Sequence, residues 1–251
     1  MADDDDTTQN PFSRPGFIVG AVVVAALIIT AVFLTVLNLN RDSDTAPPAA
    51  DATSNGSASS APTLSASGAA GGASVCGLSG VELTGTVSTA PVAEWQYQDV
   101  DAYPVSPSAG PGETAPERYR YCYQHTPEGA VFAAANMTIA GFGPVELRSA
   151  LLDYALTDGQ YRERLLESSG GSSSSDVRAA IAGFRVLEYT GDTARIDIAF
   201  RGTASGQAVT GSTVYELIWE GGDWRIDANK AEPARIAQLP DLSGYTSWTV
   251  G

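Results

Sequence analysis

The sequence predicts an α+β fold for the C-terminal part of the chain, preceded by a single transmembrane helix and a disordered linker. Three observations predict this: an uncharged apolar run near the N-terminus, a stretch of small polar residues after it, and helical periodicity followed by strand alternation in the rest. The 251-residue chain therefore divides into four zones, at residues 1–16, 17–39, 40–75 and 76–251.

The first zone is a polar, acidic tail. Its four aspartates at positions 3–6 repel one another and are expected to stay solvated. The whole chain has 14 Lys and Arg residues against 29 Asp and Glu residues, which gives a formal net charge of −15. Because nucleic acids are bound by clustered cations, this excess of acid argues against a nucleic acid as partner.

The apolar run at residues 17–39 (FIVGAVVVAALIITAVFLTVLNL) contains no charged residue and no proline. As a helix rising ~1.5 Å per residue it would be about 34 Å long, which matches a hydrocarbon core of roughly 30 Å. We therefore expect a single-pass membrane anchor. One alternative is a cleaved signal peptide, although its apolar region usually has only about 7–15 residues. The other is a lipoprotein, for which Val75 before Cys76 fits poorly.

Two glycines at the start of this run have the spacing of a helix-association motif. Gly16 and Gly20 are followed by further small residues at Ala21 and Ala25. Small residues four apart let two membrane helices approach closely, so the motif predicts a homo-oligomer. A chance occurrence of the pattern is the alternative.

The linker at residues 40–75 is mostly Ala, Ser, Thr, Gly and Pro, and cannot bury enough apolar surface to offset its ordering entropy. The folded unit then begins at Cys76, and the chain has one other cysteine, Cys122. A single pair of this kind predicts a disulfide formed in an oxidising compartment; two reduced cysteines are the alternative.

The direction of insertion depends on these cysteines, because the flanking charges are nearly balanced. Arg14 and Arg41 lie on opposite sides of the apolar run, and acidic residues count little in the positive-inside rule. A disulfide and an exposed stalk both favour an external location. We therefore expect a protein of the cell membrane with its N-terminus in the cytoplasm and residues 40–251 outside.

The first part of the folded unit is predicted to combine two strands with a long loop. Alternation is weak over residues 81–88 and strict over residues 118–124, so both are predicted strands. Residues 99–118 are rich in Pro, Gly, Ser and acidic residues, which indicates a loop.

Helices are predicted next. Thr126 can accept a backbone N–H as an N-cap, and Pro127 suits the first turn of a helix. Thr157 and Gln160 have capping-box spacing and predict another helix start. The three predicted helices span residues 127–140, 145–156 and 157–167.

Strand alternation dominates the remainder. Ile196, Ile198 and Phe200 share one face of a predicted strand, and Asp197 lies on the other face. Turn signals at residues 190–192 and 221–223 predict hairpins. Helices followed by antiparallel strands indicate an α+β fold with one sheet face packed on the helices. The predicted strands span residues 181–189, 194–201, 212–220 and 224–228.

The order of these elements, ending in ELIWEGGDWRI at residues 216–226, resembles that of nuclear-transport-factor-two-like (cystatin-like) domains. With the tail, the membrane helix and the stalk, the chain resembles bitopic inner-membrane scaffold proteins of type IV secretion and conjugation, and actinobacterial membrane proteins encoded on mobile elements. The resemblance covers residues 119–230 and the membrane segment. It implies cystatin-like helices packed on a curved antiparallel sheet and a scaffold that docks envelope protein partners.

We find no motif that predicts catalysis, and expect no catalytic, cofactor-binding or metal-binding residue. The single histidine, His125, directly precedes a predicted helix cap, where a structural role is expected. Acid–tyrosine pairs could shuttle protons, and the candidates are Asp153 with Tyr154, or Asp197 with a tyrosine at position 119, 121 or 123. For each pair, a solvated acid beside a core tyrosine is the favoured interpretation.

Three functions are compatible with this sequence. The first is the non-enzymatic, membrane-anchored scaffold implied by the resemblance. The second is an extracytoplasmic module that binds a small ligand, which a sizeable apolar cavity with two or three polar groups would favour. The third is an enzyme of the same fold.

Overall fold

The computed structural model describes residues 72–168, 178–204 and 206–250. The predicted tail and membrane helix, including Gly16 and Gly20, lie outside the described residues, as does the linker up to residue 71. Within the described ranges, no helix is both long enough and apolar enough to cross a membrane.

The described residues form an α+β fold, which confirms the predicted class. Its helices are α1 (Pro127–Gly141), α2 (Val145–Ala155) and α3 (Arg162–Ser168). Its strands are β1 (Glu94–Gln98), β2 (Asp101–Val105), β3 (Glu113–Thr114), β4 (Arg120–Tyr121), β5 (Arg178–Tyr189), β6 (Thr193–Ala204), β7 (Gln207–Glu220), β8 (Asp223–Ile226), β9 (Ala234–Gln238) and β10 (Thr246–Ser247).

The main sheet is antiparallel and has the order β10-β5-β6-β7-β8, with β9 also paired to β7. β8 and β9 share one side of β7: β8 pairs with its C-terminal end, and β9 pairs with residues 211–215. β1 pairs with β2, and β3 with β4, in two small hairpins. The register places Ile196 opposite Tyr215, and both side chains are buried. The alternation in the sequence therefore predicted the helix-facing side of the sheet.

Helix α1 is buried along nearly its whole length between the main sheet and the β1–β2 hairpin. Thr126 is its N-cap, as predicted, and its Oγ1 accepts a hydrogen bond from the Gly129 backbone N–H at 3.0 Å. A Cβ at Gly129 would lie 2.0 Å from the Gln124 carbonyl oxygen, so only glycine fits there. The buried Asn136 side chain accepts a hydrogen bond from Arg120 Nε at 2.6 Å, which satisfies part of the polarity inside the core.

The C-terminal segment, residues 239–250, contributes a large side chain to the core. Trp248 is 3% exposed, and its ring lies 5.5 Å from that of Trp95 and 5.1 Å from that of Phe132. Its indole N–H donates to the Pro91 carbonyl oxygen at 3.1 Å. This segment therefore holds together the first hairpin, α1 and the sheet.

The sulfurs of Cys76 and Cys122 lie 1.97 Å apart in a disulfide, as the sequence predicted. Next to it, the Val75 backbone N–H donates to the Gly222 carbonyl oxygen at 2.8 Å. The start of the domain is thus fixed both to the interior segment at Cys122 and to the β7–β8 turn.

Two predictions in the N-terminal part of the domain were wrong. Residues 81–88 do not form a strand but make an isolated bridge between Val81 and His125, because Gly85 has a left-handed φ of 127° that interrupts an extended backbone. Residues 99–118 are not wholly loop, since they contain β2 and β3. Pro104 in β2 argued against a strand, because proline has no backbone N–H to donate to a neighbouring strand. It is accommodated here because β1 and β2 form a two-stranded hairpin, in which each strand has a free edge.

Two further boundaries differ from prediction. The strand expected at residues 118–124 shrinks to β4, because Arg118 and Cys122 have left-handed φ values of 74° and 67° on either side of it. Helix α3 begins at Arg162 and not near Thr157. The Thr157 hydroxyl accepts instead from the Ala228 backbone N–H at 3.0 Å, so it joins the helical region to the sheet and does not cap a helix.

Replacing both cysteines by serine (C76S/C122S) is expected to lower the free energy of unfolding by about 4 kcal/mol. The disulfide joins residues separated by 46 positions, and its loss releases the corresponding loop entropy to the unfolded chain. Urea denaturation of the full-length protein, followed by tryptophan fluorescence, measures the change. A loss below about 1 kcal/mol would contradict the role given to this bond.

Candidate functional site

A cavity of about 360 Å³ lies between the C-terminal end of α1, one face of α2 and strands β7, β8 and β9. The α2 wall consists of Arg148, Leu151 and Leu152, which share a helix face because they are three and four residues apart. The end of α1 adds Met137 and Phe142. These residues make the helical side of the cavity predominantly apolar.

The sheet side of the cavity follows from strand periodicity. Thr213 and Tyr215 are two residues apart on β7 and therefore face the same way. Their partners on β9 are Ile236 and Ala234, respectively, which line the cavity as well. Ala234 and Ile236 are exposed, so this side is the mouth of the cavity.

Hydroxyl groups provide the polarity inside the cavity. The Tyr215 and Thr138 hydroxyl oxygens lie 3.3 Å apart, and Thr138 also donates to the Ala134 carbonyl oxygen at 2.8 Å. Burial raises the pKa of Tyr215 to about 12, while hydrogen bonds with Thr138 and Thr213 act in the opposite direction. Tyr215 therefore stays a neutral hydroxyl at physiological pH.

The cavity continues into an open groove of about 550 Å³. Leu165 of α3 and Pro233 both line this groove. Leu152, Ser168 and Ile226 line both the cavity and the groove, so the two spaces are contiguous.

A second polar site lies apart from the cavity, around the buried carboxylate of Asp223, which is 0% exposed. Its Oδ2 accepts hydrogen bonds from the Cys122 backbone N–H at 2.7 Å and the Tyr154 hydroxyl at 2.8 Å. Its Oδ1 accepts from the backbone N–H groups of Tyr123 and Trp224, each at 2.9 Å. One side chain therefore joins the segment after β4, helix α2 and strand β8.

Burial favours a neutral tyrosine at this site, and the hydrogen-bond donors around Asp223 favour a carboxylate acceptor. Burial raises the pKa of Asp223, and its four hydrogen bonds act in the opposite direction. Burial and the negative charge of Asp223 together raise the pKa of Tyr154. All four partners of the carboxylate are hydrogen-bond donors. This geometry is that of an ionised acid, because each of its two oxygens accepts two hydrogen bonds and neither donates one.

The acid–tyrosine pairs considered from the sequence are not the pairs that form. Asp153 is solvated, with a side chain 75% exposed, and pairs with Arg162 at 2.9 Å. Tyr154 instead binds Asp223, which is 69 residues away. The turn sequence before Asp223 carried no signal for this long-range contact.

For Asp197, the interpretation as a solvated acid was wrong. It is 1% exposed, and it accepts hydrogen bonds from the Tyr245 hydroxyl at 2.7 Å and from Arg185 Nε at 3.2 Å. The C-terminal segment covers this face of the sheet, so the face is not fully solvated. Tyr123, by contrast, is a core residue, 1% exposed.

His125 lies in the core and is 0% exposed. Its ring stacks on that of Trp219 with centroids 4.0 Å apart and planes 3° from parallel. Its Nε2 lies 2.8 Å from the Gly191 carbonyl oxygen. The side chain thus links the start of α1 to the β5–β6 turn, the structural role that was expected of it. Among the residues that the structure describes, no group of three or more His, Cys, Asp or Glu side chains could hold a metal ion.

A family model, Domain of unknown function (DUF8175), matches residues 51–247, so the chain belongs to this family. The matched range includes the disulfide, the cavity and Asp223. Neither a curated protein nor a solved structure matches the chain.

Replacing Asp223 by Asn is expected to lower the free energy of unfolding by about 2–4 kcal/mol. The amide NH₂ would face groups that are themselves donors, and at least one buried N–H or O–H would lose its acceptor. Asp153→Asn is the matched control, because this exposed acid is expected to contribute less than about 1 kcal/mol. Chemical denaturation of both variants measures the difference, and equal losses would contradict the role assigned to Asp223.

Proposed function

We propose that this protein is a membrane-anchored, extracytoplasmic binding module that holds a small, predominantly apolar molecule in the cavity between α1, α2 and β7–β9. The observation that carries the proposal is the cavity itself. Its volume of about 360 Å³ lies within the range of roughly 300–1,000 Å³ that small-molecule sites occupy. Apolar walls with a few convergent polar groups are also typical of such sites.

Binding without catalysis is the activity that this arrangement supports best. The cavity presents the neutral hydroxyl of Tyr215 and no carboxylate among its described lining residues. The buried acid Asp223 does not line the cavity, and its oxygens are already occupied by four donors. Neither group is arranged to move a proton to or from a bound molecule.

The membrane anchor and the external location are part of the same proposal. The uncharged run at residues 17–39 has the length of a membrane helix. The disulfide at the start of the domain supports an oxidising compartment, since such bonds persist outside the cytosol. A cystatin-like arrangement, with helices packed over a sheet, would provide a cavity of this kind.

The scaffold of a conjugation or type IV secretion apparatus is a second candidate, and strand β9 favours it. All five residues of β9 are exposed, and among the described strands only β7 pairs with it. A free strand edge can add a strand from a partner. The partner we propose for this edge is a second copy of the chain, because Gly16 and Gly20 also predict self-association.

The cavity proposal is tested by blocking its mouth. Ala234→Trp is expected to weaken binding of 1-octanol to the full-length protein at least 10-fold, because the indole would extend over the opening. Ala237→Trp is the control, since it places the same side chain on the opposite face of β9. Native mass spectrometry after release from detergent counts bound ligand per chain. Absence of saturable binding to the wild type, or equal binding by both variants, would contradict the proposal.

The scaffold candidate predicts covalent dimers and larger envelope complexes when intact cells are crosslinked. Replacing Gly16 and Gly20 by leucine is expected to reduce the dimers, because larger side chains keep the membrane helices apart. If an immunoblot of the crosslinked cells shows only monomers without partners, the scaffold function is contradicted.

A further inference from the structure

We propose that the molecule bound in the cavity is a neutral single-chain alcohol, with its hydroxyl group donating to Thr213 and its alkyl chain extending into the contiguous groove. This inference rests on the proposed binding function and specifies the class of ligand. It makes Thr213 the residue that recognises the head group.

The hydroxyl groups of the cavity lie at the end that is away from the groove. Thr138, Thr213 and Tyr215 all line the cavity, and none of them lines the groove. Their exposed fractions are 2%, 4% and 6%, respectively. An alkyl chain placed against these buried oxygens would leave their remaining acceptor capacity unused. The polar head group of a ligand is therefore expected at this end, and its apolar part towards the groove.

The direction of the hydrogen bonds among these hydroxyls determines which head group fits. A hydroxyl has one proton, and Thr138 donates its proton to the Ala134 carbonyl oxygen at 2.8 Å. The Thr138 oxygen, 3.3 Å from that of Tyr215, is left to accept the Tyr215 proton. Thr213 also forms a hydrogen bond with Tyr215, and with the Tyr215 proton engaged it is the donor. The Thr213 oxygen therefore remains as an acceptor, and an O–H group on the ligand can donate to it.

Charges of both signs border the cavity and the groove, so neither an anion nor a cation is favoured as the head group. Arg148 lines the cavity, but it already interacts within the protein. In the groove, Arg235 pairs with Glu216 at 3.3 Å, and the exposed carboxylate of Glu232 would repel an anion. A buried ion needs a counter-charge, which hydroxyl groups do not supply. A neutral head group needs none.

The groove continues the apolar surface of the cavity, which is suited to an alkyl chain. Leu152 and Ile226 line both spaces, and the groove adds Leu156 and Leu165. A chain that leaves the cavity therefore passes along further apolar side chains. Each methylene group that becomes fully buried increases the affinity about fourfold.

The chain itself does not provide a suitable occupant next to the cavity. The segment that follows α3, residues 169–177, has the sequence SGGSSSSDV and contains one large apolar side chain, Val177. The large apolar side chains of the linker at residues 40–75 are Leu64 and Val75 alone. Neither segment supplies a continuous apolar chain that ends in a hydroxyl group, so a separate molecule fits the cavity better.

The experiment compares 1-octanol with its isomer 1-methoxyheptane, an ether that keeps the oxygen acceptor but has no O–H. In a purely apolar cavity the ether would bind more tightly, because it loses fewer hydrogen bonds on leaving water. The full-length wild type is expected instead to bind the alcohol at least 5-fold more tightly, measured by native mass spectrometry in separate titrations. It is also expected to bind 1-dodecanol at least 10-fold more tightly than 1-octanol, because the longer chain reaches the groove.

The variant that tests the head-group contact is Thr213→Val, which keeps the shape of the side chain and removes the acceptor oxygen. It is expected to abolish the preference for the alcohol over the ether. Thr203→Val makes the same change at an exposed position of β6 outside the cavity and is expected to keep the preference. Retention of the preference by Thr213→Val, or its loss in Thr203→Val, would overturn the assignment of Thr213.

The outcomes separate this inference from the function on which it rests. If the wild type binds the ether as tightly as the alcohol, or octanoate more tightly than 1-octanol, the neutral alcohol is overturned and the binding module remains. Equal affinity for 1-octanol and 1-dodecanol overturns the extension into the groove. Saturable binding of none of these molecules overturns both proposals. Because these comparisons use the wild type, they do not depend on the folding of any variant.

Discussion

The buried carboxylate of Asp223 is the interaction on which the arrangement of this domain depends most. It accepts hydrogen bonds from residues 122 and 123, from Tyr154 on α2 and from Trp224 on β8. A buried donor that loses its acceptor costs about 1–3 kcal/mol, so four donors converging on one group make alternative packings unfavourable. The left-handed backbone at Cys122, with φ of 67°, is held between this carboxylate and the disulfide.

The same interaction positions the wall of the cavity. Tyr154 fixes the C-terminal end of α2 to Asp223, and a bridge between Leu156 and Ile226 then joins the end of this helix to β8. With this end of α2 fixed, Arg148 and Leu151 on its cavity-facing surface stand over β7 and β9. The space beneath them is left open partly because small residues line it. They are Thr138, Gly141, Thr213 and Ala234.

Features that depend on neighbours along the chain were predictable, and features that depend on distant residues were not. Thr126 predicted the start of α1 through its cap, and strand alternation with turn signals predicted the strands β5–β8 of the main sheet. The disulfide was predictable because two cysteines allow one pairing. The contacts of Asp223 with Tyr154 and of Asp197 with Tyr245 span 69 and 48 residues and leave no local signature. The cavity is harder still to predict from the sequence, because it is a gap among several elements and belongs to no motif.

Amide hydrogen exchange at the residues around Asp223 tests the central claim most directly. The backbone N–H groups of Cys122, Tyr123 and Trp224 are predicted to exchange only through global unfolding, at the slowest rates in the domain, because each donates to a carboxylate that is 0% exposed. Exchange of these three amides as fast as that of Val92, which is 91% exposed, would contradict the account.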